Sequence, residues 1–200
     1  MARRGLPIAG TLRFDFDAEQ IGNLITELGM TERQAKYALS RALRRTAGTL
    51  RRMSERGLKS KLDVRKTTYL RRRLKFSRFS RASFEGARLW FGANDMPVSA
   101  LRGKVKETSG GASFSGKAGQ HTFDDGFVAK SRRKWTGGRR TILVRKGKKR
   151  LPIREAELPV KDEMDVFIED EVFDQVNEIF WKHFERDMLA RAQFGVGQRG

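Results

Sequence analysis

The sequence predicts an α+β fold, with a mostly antiparallel sheet of four to six strands packed against long N- and C-terminal helices. Apolar residues recur at three- and four-residue steps near both ends of the chain, which is the period of one face of a helix. Between about residues 82 and 158 the pattern changes to short alternating runs bounded by turn residues, which is typical of strands. This order of patterns places the helices on one face of the sheet.

The N-terminal elements are a short strand over residues 11–16 and a helix that Asp17 caps. Thr31 and Gln34 form a capping box that starts a long basic helix with an alanine-rich apolar face. Asp63 is the expected cap of a further helical turn. We therefore expect an N-terminal extension (residues 1–30), a single α+β domain (residues 31–194) and a flexible tail (residues 195–200).

The middle of the chain is expected to supply the sheet. The stretch over residues 109–120, SGGASFSGKAGQ, indicates by its composition a loop that is mobile or ordered by a partner. The predicted strands cover residues 82–92, 98–101, 104–107, 121–130, 141–145 and 151–158.

The last predicted element is one continuous helix from about Lys161 to Ala192 with a wide apolar stripe. At ~1.5 Å per residue it spans roughly 45 Å, which is too long for a small domain to cover alone. We therefore expect part of it to pack on another subunit or against the basic helix. The candidates for a subunit interface are Phe167, Phe173, Ile179, Phe180 and Phe184.

The formal charge of the chain is +19, and it is unevenly distributed. Residues 1–82 hold 21 basic and 7 acidic side chains, residues 83–158 hold 17 and 7, and residues 159–200 hold 5 and 10. Such asymmetry indicates contact with a polyanion, with a complementary neighbouring subunit, or with both. A merely solubilising surface normally mixes both signs, although that interpretation stays open.

Two groups of basic residues are the candidates for this contact. Aromatic residues lie among them, as in surfaces that meet the nucleic-acid backbone, but no helix-turn-helix, zinc-finger or RNA-recognition signature is present. We therefore expect salt-sensitive backbone contact without base readout, or pairing with acidic surfaces of neighbouring subunits. The DNA- or partner-facing candidates are Arg44, Arg45, Arg51, Arg52, Arg71, Arg72, Arg73, Lys75, Lys130, Arg132, Arg133, Lys134, Arg139, Arg140, Lys148, Lys149 and Arg150.

The sequence offers little support for catalysis, a metal or a cofactor. Residues 111–117, GASFSGK, have P-loop spacing, but Ala118 follows where Ser or Thr would hold Mg²⁺. His121 and Asp125 share a face of a predicted strand without an evident third ligand. No nucleophile, base and orienting group can be assembled from spacing. We expect a protein that is not an enzyme, and no membrane helix, because no apolar run approaches ~20 residues.

The order of these segments resembles the minor tail protein Z family, the tail-completion proteins of lambda-like tailed phages and prophages. The resemblance covers roughly residues 30–190 and rests chiefly on the FVAK segment at 127–130 and the stretch VRKGKKRLPI at 144–153. It implies a structural virion protein at the head-proximal end of the phage tail, assembled in the host cytoplasm. It further implies a ring of this chain, with six-fold symmetry expected, beside the tail terminator and the head–tail connector.

The leading hypothesis from the sequence is therefore a tail-completion or neck protein that forms an oligomeric ring around the DNA path, with its arginine-rich faces towards DNA or acidic neighbouring proteins. The rival is a free basic protein that binds nucleic acid without sequence specificity.

Overall fold

The computed structural model describes residues 11–15, 17–76, 86–130, 139–147 and 151–194. The fold is α+β, as the sequence predicts. The described strands form four small antiparallel sheets rather than the single larger sheet expected. The chain divides into two compact units that alternate along the sequence, which differs from the expected single domain over residues 31–194. The first unit is Met1–Ser54, Lys75–Gly92 and Asp165–Gly200, and the second is Glu55–Leu74 and Ala93–Met164.

The first unit contains a small sheet and the N-terminal helices. The strand β1 (Thr11–Asp15) pairs with β3 (Gly86–Gly92), which also pairs with β2 (Lys75–Phe76). The helix α1 (Ala18–Glu27) precedes the long helix α2 (Glu32–Lys61), whose residues up to Ser54 belong to this unit.

Both predicted N-terminal caps are confirmed. The backbone N–H of Gln20 donates to Asp17 Oδ1 at 3.0 Å. The backbone N–H of Thr31 donates to Gln34 Oε1 at 3.0 Å, and that of Gln34 donates to Thr31 Oγ1 at 3.3 Å. These reciprocal bonds satisfy N–H groups that the first turn of a helix leaves without partners.

The predicted continuous C-terminal helix is interrupted. It consists of α4 (Lys161–Phe167), a π turn (Ile168–Val172), a 3₁₀ turn (Phe173–Gln175) and α5 (Val176–Phe194). The buried side chains in this region follow one another at four-residue steps from residue 168 to residue 188. Each such step in a regular α-helix moves a side chain about 40° around the axis. The wider π turn offsets this drift.

The core of the first unit joins the small-residue face of α2 to the aromatic face of α5. Phe180 and Phe184 have no exposed surface, and their rings stack with centroids 5.5 Å apart. Thr49 Oγ1 of α2 is hydrogen-bonded to His183 Nε2 of α5 at 3.3 Å. The buried residues of α2 in this unit are Ala35, Ala38, Leu39, Ala42, Leu43, Thr46, Leu50 and Ser54.

The second unit holds three of the four sheets. The described strands pair in the orders β5–β6–β7, β8–β9–β10 and β11–β4. These elements are α3 (Thr67–Arg73), β4 (Met96–Pro97), β5 (Gly103–Thr108), β6 (Gly111–Gly116), β7 (Gly119–Asp124), β8 (Phe127–Lys130), β9 (Arg140–Arg145), β10 (Ile153–Glu155) and β11 (Glu157–Leu158). The predicted strand at 98–101 is instead largely a 3₁₀ turn, Val98–Ala100.

Asp63 does not cap α3, in contrast to the expectation. Lys66 occupies the N-cap and makes no side-chain cap bond. Asp63 has φ 50°, the left-handed conformation that aspartate tolerates in turns. Its carbonyl accepts a hydrogen bond from the Arg102 backbone N–H at 3.0 Å. Asp63 is therefore part of the turn that brings residues 63–65 beside the start of β5.

The expected loop at residues 109–120 is wrong, because most of these residues form β6 and the start of β7. Phe114, in the middle of β6, is only 1% exposed. Its ring leaves no room for a side chain on the neighbouring strand: a Cβ at Gly103 would lie 2.5 Å from the ring. The glycine-rich composition therefore reflects close packing around a buried ring.

Candidate polyanion interface

A surface groove of about 470 Å³ lies in the second unit. Five of its seven lining residues are cationic, and no carboxylate is among the described residues that line it. We call it the basic groove; its lining residues are Arg65, Gly103, Lys104, Val105, Lys106, Arg139 and Arg140.

Arg65 is held in this groove by its backbone and its side chain. Its backbone N–H donates to the Ala100 carbonyl at 2.9 Å, and its Nε donates to the Leu101 carbonyl at 2.9 Å. The preceding residue, Val64, forms an isolated antiparallel bridge with Leu101. These contacts hold the half-buried Arg65 beside Ala100 and Leu101, just ahead of the point where β5 begins.

The other four cations are exposed: two belong to β5, one is the first residue of β9, and Arg139 directly precedes β9. Lys104 and Lys106 are two residues apart on β5, so they share one face of that strand. Arg140 is the first residue of β9, which contacts β5. Lys130 of β8 lies directly opposite Arg140 in the antiparallel register, although it is not part of the groove lining. Like charges in opposite positions destabilise a sheet, so the Lys130–Arg140 pair lowers the stability of the β8–β9 pairing.

The electrostatics of Arg65 show how concentrated this charge is. Burial lowers the pKa of Arg65, and the positive charges of Arg139 and Arg102 lower it further. The opposing contributions of Tyr69 and Asp63 are smaller. The guanidinium stays protonated at physiological pH, so its lowered pKa reports its burial first and repulsion from Arg139 and Arg102 second. An anion in the groove would relieve that repulsion.

The arginines of α2 lie in the first unit and are arranged differently. Arg45 Nη1 lies 3.9 Å from Asp187 Oδ1, and Arg41 Nε lies 3.3 Å from the same oxygen. Arg191 Nε donates to Asp187 Oδ2 at 2.8 Å. Asp187 is 5% exposed and Arg191 is 7% exposed, so they form a buried ion pair on α5. Part of the basic face of α2 therefore meets an acidic partner within the chain.

The other α2 candidates vary in exposure. Arg44 and Arg52 are exposed, and Arg51 is half-buried. Arg52 donates to Thr49 Oγ1 at 3.0 Å.

Burial lowers the pKa of His183, and the nearby charges of Arg45, Arg52, Lys182 and Arg186 lower it further. His183 therefore packs as a neutral imidazole in a positive environment.

Two of the three arginines at the end of α3 have acidic partners. Arg71 Nε donates to Glu55 Oε2 at 3.1 Å, and Arg73 lies 2.9 Å from Glu157 Oε1. Arg72, Lys75, Lys130, Arg139 and Arg140 are exposed. The candidates Arg132, Arg133, Lys134, Lys148, Lys149 and Arg150 lie outside the described residues, as does the tail over residues 195–200.

The proposed subunit-interface phenylalanines lie in the core of the chain. Phe180 and Phe184 are fully buried, Phe167 and Phe173 are each 7% exposed, and Ile179 is half-buried. Side chains without exposed surface have little to offer a second subunit. If the chain forms an oligomer, the outer face of α5 is the better candidate for the subunit interface. A groove of about 640 Å³ on this face is lined in part by Trp181, Leu189 and Phe194.

The residues considered for catalysis have structural roles. His121 Nε2 lies 2.7 Å from the Ala118 carbonyl, within the tight turn between β6 and β7. Asp125 has φ 57° and forms the turn that divides the predicted strand at 121–130 into β7 and β8. The P-loop-like sequence is a strand and turn, with no helix after it. Within the described part of the chain, no group of three or more His, Asp or Glu side chains is arranged to hold a metal ion.

Three cations of the basic groove, Arg65, Lys104 and Lys106, are not among the candidates predicted from the sequence. Lys104 and Lys106 carry the signal of alternate basic residues in a predicted strand, but they are only two charges among 43. Arg65 carries no local signal, because its place depends on backbone bonds to residues 35 positions or more away.

Comparisons with known proteins give no relative: no family model, no curated protein and no solved structure matches the chain. Among the helices that the structure describes, none has the length and apolar character needed to cross a membrane.

Proposed function

We propose that this chain is a structural virion protein at the head-proximal end of a phage tail, where it completes the tail and helps to join it to the DNA-filled head. The proposal has two supports that are independent of each other. The first is the resemblance of the sequence to the minor tail protein Z family. The second is a surface chemistry suited to a polyanion.

The basic groove is the observation that carries the proposal. DNA passes through the head–tail junction as a dense polyanion, with one negative charge per ~1.7 Å of duplex. A protein that lines this path needs positive charge concentrated on its surface. The groove supplies five cationic lining residues without a carboxylate in its described lining.

The outer face of α5 favours an oligomer over an isolated subunit. Leu189 is 46% exposed and Phe194 is 76% exposed, although both are large and apolar. Exposed apolar side chains that cluster mark protein–protein contacts. In the proposed ring these faces contact neighbouring copies, and the tail terminator and head–tail connector lie above and below the ring.

Electron microscopy of particles from the phage or prophage that encodes this chain tests the proposal. We expect a label on the chain at the upper end of the tail, and unjoined heads and tails when the gene is deleted. A chain that is absent from virions, together with normal joining in the deletion strain, would contradict the proposal.

A second candidate is a free nucleic-acid-binding protein without sequence specificity. It is favoured by the completeness of the basic groove, which lies within one unit of a single chain. For this candidate the monomer binds duplex DNA with full affinity and the chain is absent from particles. Virion-bound chain that assembles into rings argues against it.

A further inference from the structure

We infer that the basic groove is the main site at which this chain binds the phosphate backbone of double-stranded nucleic acid. The inference rests on the proposed function and names the ligand and the residues of its DNA contact.

The charge of the groove fits several phosphates better than one. Five positive charges line it, whereas a single phosphate carries at most two negative charges at neutral pH. The positive charge of the lining therefore exceeds the charge of one phosphate, which favours a ligand that carries several phosphates.

The spacing of the lysines on β5 fits a regular polymer. Lys104 and Lys106 lie on one face of the strand, and their Cα atoms are about 6.8 Å apart along an extended chain. Successive phosphates of one DNA strand advance ~3.4 Å along the duplex axis. The two lysines therefore span about two axial steps, which lets them contact phosphates of the same strand.

The groove lining favours a duplex over a single strand. Proteins that bind single strands place aromatic side chains under the unstacked bases. The described lining contains no aromatic residue, and Val105 is its one apolar side chain. It also lacks Asn and Gln, the usual partners of adenine edges. The cations of the groove can contact the phosphate backbone of a stacked duplex, whereas the lining lacks the usual groups for reading bases.

The α2 arginines differ from the groove cations because an internal carboxylate serves part of their surface. Arg41 and Arg45 lie beside the buried Asp187, which offsets only part of their charge because it is also paired with Arg191. A phosphate that approached them would compete with that carboxylate. In the basic groove no described lining residue competes in this way.

The test measures binding of the full chain to a short labelled duplex by fluorescence anisotropy between ~50 and ~200 mM salt. The groove variant is Lys104→Gln/Lys106→Gln, in which both side chains are exposed. The matched control is Arg44→Gln/Arg52→Gln, which removes the same charge from exposed positions of α2. Arg140→Gln is a second groove variant, on a different strand. Circular dichroism verifies that each variant keeps the wild-type fold.

We expect the groove variant to lose at least ~tenfold in duplex affinity and to lower the slope of log affinity against log salt by about 1.8, since each lost phosphate contact removes ~0.9. The control should stay within about twofold of wild type, because its charges act only at a distance. A single strand of the same length should bind more weakly than the duplex.

Five results would overturn the inference. Two of them are equal losses in the groove and control variants, and a single strand that binds as tightly as the duplex. Two more are displacement of the duplex by inorganic phosphate and its displacement by polyglutamate, both at matched ionic strength. Inorganic phosphate would indicate a site for a single anion, and polyglutamate an acidic protein partner. Failure of the wild type to bind duplex also overturns it and leaves the particle-labelling result intact. Conversely, duplex binding by a chain that is absent from tails refutes only the virion role.

Discussion

Asp187 is the residue that gives the arginines of α2 an internal partner. It lies on α5, is 5% exposed, and has three arginines near its two oxygens. A buried charge is tolerated only when it is paired, and Arg191 is buried beside it. The separation of 142 to 146 positions between Asp187 and its α2 partners explains why the sequence alone did not reveal this pairing.

Replacing Asp187→Ala is expected to lower the free energy of unfolding by about 3 to 5 kcal/mol, because it leaves Arg191 buried without its partner. Urea denaturation measures the change. Glu185→Ala, at an exposed position of the same helix, is the control and should change stability by less than ~0.5 kcal/mol. Similar small effects for both variants would show that the ion pairs of Asp187 contribute little to the stability of the fold.

His183 makes stability depend on pH. Burial and the neighbouring arginines and lysine lower its pKa in the folded state, so the unfolded chain binds the proton more readily. Stability is therefore fully present above the ordinary histidine pKa of about 6.5 and is lost as the pH falls from there toward the folded-state pKa. Thermal melts from pH 8 downwards should show a falling melting temperature below about pH 6.5. His183→Gln should flatten the curve in that range, and an unchanged curve would exclude His183 as its origin.

At the scale of elements, the β5–β6 pair shows how glycine supports a buried ring. Gly103 and Gly116 lie opposite each other in the register, on either side of the Phe114 ring. A Cβ at Gly116 would lie 2.7 Å from the Arg102 backbone carbonyl, which cannot move as a side-chain tip can. These strands support the lysines of the basic groove, so their packing and the groove are coupled.

Gly116→Ala is expected to destabilise the protein by roughly 1 to 3 kcal/mol, because the added methyl group overpacks a closed site. Gly22→Ala is the matched control: its site in α1 has no atom within 4 Å of the new Cβ. Since alanine favours a helix over glycine, Gly22→Ala should stabilise by roughly 0.5 to 1 kcal/mol. Chemical denaturation measures the change in the free energy of unfolding for both variants. A change in the same direction in both would contradict the close packing inferred around Gly116.

The elements that the sequence predicted correctly are those whose signals are local. Asp17 and the Thr31–Gln34 pair were identified because a cap and its helix lie within three residues of each other. The strand β6 was missed because its glycines and serines match loop composition, while its reason for being a strand, the burial of Phe114, depends on β5. The break in the C-terminal helix was missed because no proline or glycine marks it.

At the scale of the whole molecule, the long-range arrangement of charge could be predicted only in part. The excess of basic residues and the acidic C-terminal segment are visible in the composition. Which cations have internal partners depends on the tertiary fold, as the contrast between Arg45 and Arg140 shows. The sequence thus indicated a polyanion contact, and the groove proposed for it consists mostly of residues outside the predicted set.

The proposed ring makes a prediction about the outer face of α5. Leu189→Glu places a charge on an exposed apolar side chain, so it should shift an oligomer towards the monomer. Its melting temperature should equal that of the wild type at concentrations where both are monomeric. Phe184→Ala, in the core, should instead cost about 3 to 5 kcal/mol of stability. Light scattering and thermal melts of both variants separate the two effects. A wild-type chain that is monomeric at all concentrations would refute the expected ring contact.

The π turn at Ile168–Val172 also determines where the chain can change in length. Its hydrogen-bonded rings enclose one residue more than those of an α-helix, so loss of one of its exposed acidic residues leaves a regular α-helical pattern. A deletion near the start of α5 instead rotates the residues after it by about 100° and carries Phe184 and Met188 off the buried face. Natural insertions and deletions among descendants of this sequence should therefore accumulate at 168–172 and be excluded from 176–188.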